Sequence, residues 1–234
     1  MFKNTNLFAA VAGLVLAMAP AESAAVIARD DTLVKTLGLS QGDTFHLVFD
    51  SSTTTQATST DIGYYNTFVN GVANGLGSIV AAYGWTWKAI GSTVGTSAKD
   101  NTGTNYTLPA NPGNPIYRVG DYVLVANDYA DLWDGTLQAE ISTNEKGGGA
   151  GDWAWTGTDW SGVAKSGRAL GEAGPQCGTT GSTSSNWIDR DCDSNGNWYY
   201  MMAMSEAITV IPEPATLALL GLGGLGLVLG RKRK

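Results

Sequence analysis

The chain has 234 residues, 43% of them hydrophobic and only 15% charged, and its formal net charge is −7. With Lys3, the four terminal cations, Glu22 and Glu213 set aside, 19 acids face 9 bases over 26–211. That balance of about −10 excludes the basic face that nucleic-acid phosphates require. Eight tryptophans and nine tyrosines at so sparse a charge exclude a disordered stalk.

Lys3 supplies a positive start, 7–18 is apolar, and Ala19-Pro20-Ala21 or Ser23-Ala24-Ala25 offers small residues for cleavage. Residues 1–25 therefore read as a secretory signal peptide. The body, 26–205, is long enough for one domain and one sizeable core. An exported body faces an oxidising compartment, where Cys177 and Cys192 are expected to pair. Closing their 15-residue separation is worth about 3 kcal/mol on a chain-entropy account.

Along the body, Phe45, Leu47 and Phe49 alternate with His46, Val48 and Asp50, which predicts an amphipathic strand with His46 on its solvated phase. A Ser/Thr-rich loop, 51–60, leads into Ile62, Tyr65, Val69 and Val72 at helical spacing. They predict a helix over 61–75 that ends near Gly75. Strands are expected at 85–90, within 116–126 around Tyr122 to Val125, at 153–157 and at 197–204. A long Gly/Pro/Asn loop fills 101–115, a turn falls at 131–135, and 206–214 reads as a linker. No internal repeat is present. Many short elements on glycine-rich loops indicate a loop-heavy α+β domain.

The tail has three parts. Pro212-Glu213-Pro214 cannot continue a helix or strand and marks a short extended segment. Residues 215–230 carry no charge and, as a transmembrane helix, would reach about 24 Å at ~1.5 Å per residue, a little short of a ~30 Å hydrocarbon core. The closing Arg231-Lys232-Arg233-Lys234 belongs on the cytoplasmic side. In this order, motif, apolar helix and basic end resemble the PEP-CTERM sorting signal of bacterial surface proteins. The resemblance implies transient anchoring in the inner membrane of a Gram-negative cell. Processing near Pro212, Glu213 and Pro214 by an exosortase would follow, and such proteins are associated with exopolysaccharide or biofilm production. An ordinary stop-transfer anchor is the alternative.

The body resembles, in the order of its pieces, the C-type lectin-like superfold in its endostatin-like branch. The pieces are Trp87 to Ile90, Asp100-Asn101, Pro115 to Tyr117, Leu132-Trp133-Asp134-Gly135, Trp155-Thr156-Gly157, Leu170-Gly171, Trp187-Ile188-Asp189 and Trp198-Tyr199-Tyr200. The resemblance implies that Cys177 and Cys192 close the loop before the last strand.

Asp191, Asp193 and Asn195, followed by Gly196, fit the first half of a calcium loop, in which alternate oxygens wrap a hard cation. The full loop's closing glutamate is replaced by Met202. Trp187-Ile188-Asp189 with Cys192 is similar to the lectin W-N-D-x-x-C signature, which adds Asp189 to the candidate Ca²⁺ ligands, although Ile188 stands where the family has Asn. The alternative is an acidic, solvated loop pinned by a disulfide. Catalysis finds little support: one histidine, no G-x-S-x-G turn, and no second histidine for zinc. Flat Trp rings stack on sugars. Trp160 and Trp133 are the candidate glycan contacts, while Trp155, Trp187 and Trp198 are expected in the core. The sequence thus points to a non-catalytic surface or exopolysaccharide-matrix protein. The alternatives are a secreted glycan-active hydrolase and a permanently anchored adhesin.

Overall fold

The structure, a computed structural model, describes residues 24–106, 109–192 and 194–212. Among them nine strands and four α-helices follow in the order β1 (Val26–Ala28), α1 (Thr32–Leu37), β2 (Thr44–Asp50), α2 (Ile62–Ala73), β3 (Trp87–Ala89), α3 (Ala98–Asn101), β4 (Ile116–Arg118), β5 (Leu124–Ala126), α4 (Tyr129–Leu132), β6 (Trp153–Trp155), β7 (Cys177–Thr179), β8 (Met202–Ser205) and β9 (Ile208–Ile211). The chain is α+β, rich in sheet and short of helix.

β2 organises the molecule. One of its edges takes β4 in parallel, with His46 opposite Ile116. Its other edge is shared: β9 pairs antiparallel with Thr44 and Phe45, and β8 with Val48 to Asp50. β8 and β9 then diverge, β8 taking β3 on its far side and β9 taking β1 in parallel. β6 and β7 form a separate antiparallel pair.

Phe45, Leu47 and Phe49 enter one core with Trp87 and Trp155, whereas Val48 enters a second with Ile116, Leu132, Trp133 and Trp187. β2 is therefore buried on both faces, and the amphipathic expectation for 45–50 is corrected. Alternation alone carries no information about what covers the polar phase, which here includes Tyr129 of α4.

α2 follows its apolar spacing. The Asp61 carboxylate caps it by accepting the Gly63 N–H at 2.8 Å, and Tyr65, Val69 and Ala73 are buried along one stripe. Asn66 and Asn70, one turn apart, lie over the free edge of β3. Their side-chain oxygens accept the N–H groups of Ala89 (2.9 Å) and Trp87 (3.0 Å). An edge strand that would present unpaired donors is thereby closed by a helix.

Several elements depart from expectation. β1, α1 and β9 fall where the sequence suggested no element or a linker. The 116–126 region splits into β4 and β5, with Tyr122 at φ 57 in the connecting turn rather than in a strand. A helix, α4, takes up the first two residues of the expected 131–135 turn.

Candidate functional site

Three regions compete for a functional role: the processing end, the disulfide-bound acidic loop, and the tryptophan-bearing turns. Ile208-Thr-Val-Ile211 is a β-branched run, and as β9 it is held on both edges. The Arg29 N–H donates to the Ile211 carbonyl at 3.0 Å, the Gly42 N–H to that of Val210 at 2.9 Å, and the Val210 N–H to that of Asp43 at 2.9 Å. Pro212 follows at once and is exposed. The expected linker over 206–214 is therefore corrected: folded structure reaches Ile211. Glu213 and Pro214, the expected transmembrane helix at 215–230, the basic end and leader residues 1–23 lie outside the described residues. Among the described residues no helix is long and apolar enough to cross a membrane.

Cys177 and Cys192 are disulfide-bonded, with Cα atoms 5.7 Å apart. The loop they close lies directly on β7, since a Cβ on Gly178 would collide with the Trp187 carbonyl oxygen. The described candidate calcium ligands each have partners in the fold. Both Asp189 oxygens take the Lys165 ammonium, at 3.0 and 3.1 Å, and Oδ1 also accepts from Gln176. Asp191 is largely exposed and lies 3.4 Å from Arg168. Asn195 is held through its backbone to Ala57 and Ala173, and Asp193 lies outside the described residues. Among the described residues no group of three or more His, Cys, Asp or Glu side chains is placed to hold a metal. Asp189 is thus engaged by Lys165 and Gln176.

Trp133 is 2% exposed, its Nε1–H donates to Thr104 Oγ1 at 3.0 Å, and its ring lies 5.8 Å from that of Trp187. As a glycan contact it is corrected, because a ring sealed in the core has no face for a sugar. Trp160 is 48% exposed, as expected. Trp155 and Trp187 are buried, but Trp198 is 63% exposed, against the expectation that it pins the core. Its neighbour Tyr199 takes that place, with its ring 4.6 Å from Trp155.

His46 is buried rather than solvated. A carbonyl can only accept, so Nδ1–H donates to the Ser205 oxygen at 2.8 Å. Nε2 then accepts the Tyr129 hydroxyl at 2.7 Å, and Asn114 donates to that hydroxyl at 3.0 Å. Burial lowers the His46 pKa and keeps the ring neutral. At the other end of β2, Asp50 and Glu145 are both buried. Glu145 accepts the Ser52 N–H at 2.9 Å and the Ser52 hydroxyl. Asp50 Oδ2 accepts from the Gly151 N–H at 3.3 Å, and Oδ1 has no partner among the described residues. Burial pushes the Asp50 carboxyl well above the usual carboxylate range. Sequence reasoning missed this pair, and a single Asp at a strand end carries no signal that another carboxylate will face it.

Residues 210–234 match the PEP-CTERM protein-sorting motif. The match begins at Val210, so the signal starts inside β9 rather than after the folded body. No curated protein matches the chain. The motif marks the chain for export and cell-surface sorting in bacteria and for processing by an exosortase.

Proposed function

We propose that the chain is a non-catalytic surface or exopolysaccharide-matrix protein whose lectin-like body binds extracellular glycan. On this reading the tail holds the chain briefly in the inner membrane of a Gram-negative cell, and an exosortase then cuts near Pro212. The observation that carries the reading is the sorting motif over 210–234, which gives the body an extracellular address. The C-type lectin-like assignment is supported by the loop-heavy α+β order and by a disulfide that closes the segment before β8. A non-catalytic role is supported by His46, the single histidine, whose two ring nitrogens are engaged in the interior.

Trp160 is the proposed glycan contact, because it presents an open ring beside the polar residues Asp159 and Ser161. The test is pull-down of the purified body with the producing cell's own matrix polysaccharide, alongside tryptophan fluorescence. Binding that weakens about tenfold or more in Trp160→Ala, roughly 1.4 kcal/mol, is expected. Absence of pull-down together with an unchanged emission spectrum would sink the glycan reading and leave the address intact.

A further inference from the structure

The residue before β1 already belongs to the sheet. Ala25 is 4% exposed and sits in the core cluster with Ile27, Phe45, Ile208 and Val210. Its carbonyl accepts the Thr209 N–H at 3.0 Å, and the ladder continues with Val26 opposite Thr209, Ile27 opposite Val210 and Ala28 opposite Ile211. The chain offers two small-residue cleavage steps, one after Ala21 and one after Ala25.

The two products differ in what they leave for β9. A cut after Ala25 removes a buried methyl group and takes away the acceptor of the Thr209 N–H. It also sets a new α-ammonium on Val26, the first residue of the ladder. A donor left without its partner and a lost buried methyl group are both unfavourable. A cut after Ala21 keeps Ala25 with both of its peptide bonds and places the new charge four residues upstream.

We propose that the leader is removed at the Ala21–Glu22 bond, so that the mature chain begins at Glu22. The proposal rests on reading the N-terminal segment as a secretory leader. A signal peptidase adds water across the peptide bond, leaving a carboxylate on Ala21 of the leader and an ammonium on Glu22 of the body. Cleavage acts on the extended chain, and the fold decides which product can complete the β1–β9 ladder.

The experiment is export of the full chain from a Gram-negative host, with intact mass and N-terminal sequencing of the exported protein. A first residue of Glu22 is expected. A first residue of Val26 overturns the proposal and leaves the leader reading standing, whereas an exported chain still beginning at Met1 overturns both. Two variants separate the sites independently of folding. Ala21→Phe blocks a cut after Ala21 and is expected to lose the mature species. Ser23→Phe lies three residues before the alternative bond and is expected to leave processing unchanged, so accumulation of its precursor overturns the proposal. Bodies beginning at Glu22 and at Val26, each exported behind a foreign leader, provide a last comparison. The shorter one is expected to melt at lower temperature, and equal melting temperatures would overturn the argument from Ala25.

Discussion

The turns that carry Trp133 and Trp160 are packed on each other. The Trp133 ring occupies the space beside Gly162, where a Cβ would come within 2.7 Å of Cδ2, and Trp160 Cε3 lies 3.5 Å from the corresponding point on Gly135. Each ring thus covers the other turn's glycine, yet one is 2% and the other 48% exposed. Trp133 follows α4 directly, so its ring is aimed inward to Trp187 and its N–H meets Thr104. Trp160 lies over that turn from outside. Residue type and local motif are nearly the same in both places, and what separates a core ring from a surface ring is which turn lies underneath.

The comparison is most exposed to failure at Trp133. Trp133→Ala empties a sealed site and should cost about 3–5 kcal/mol in urea unfolding; a loss below about 1 kcal/mol would mean that the ring is not interior. Gly162→Ala tests the contact between the turns. Its φ of +80° and the Trp133 ring beneath it both oppose a side chain, so a cost of about 2 kcal/mol or more is expected by thermal melting.

A second contrast, between buried polar groups with and without partners, sharpens the first. Burial, with a smaller contribution from Glu145, holds the Asp50 proton on above the usual carboxylate range. There the native state binds a proton that the unfolded chain has released. Stability should therefore be full in acid below that range and fall as pH rises toward the native value, by at most about 1.4 kcal/mol per pH unit. Asp50→Asn should flatten this slope in melts taken across pH. His46 acts in the opposite sense: its native pKa lies below 6.5, so its contribution is present above 6.5 and lost as pH falls through the native value. A slope unchanged in Asp50→Asn would assign the alkaline loss elsewhere. The smallest effect belongs to Trp160→Ala, which should shift stability by less than about 0.5 kcal/mol while weakening glycan binding.

What was legible in the sequence was what is local. α2 follows from Ile62, Tyr65 and Val69 with Asp61 before them, and the disulfide follows from two cysteines in an exported chain. The sorting tail could be read from three segments in order. What was not legible depended on distant partners. His46 lies on a polar phase by period, but its partners Tyr129 and Ser205 are 83 and 159 positions away. Trp133 and Trp160 could not be told apart, because the exposure of each is set by the other's turn. β9 was within reach: Ile208 to Ile211 are all β-branched, but the prolines that follow drew the stretch into a linker. Its pairing with β1 joins the two ends of the body, a contact that no local pattern announces.

β9 also determines how the body meets mechanical load. Tension applied at Pro212 would run along the strand axis, with β1 bonded on one edge and β2 on the other. Hydrogen bonds on both edges must then yield in shear together instead of peeling one at a time. The strand in which the sorting motif begins thereby resists load along its axis on both edges.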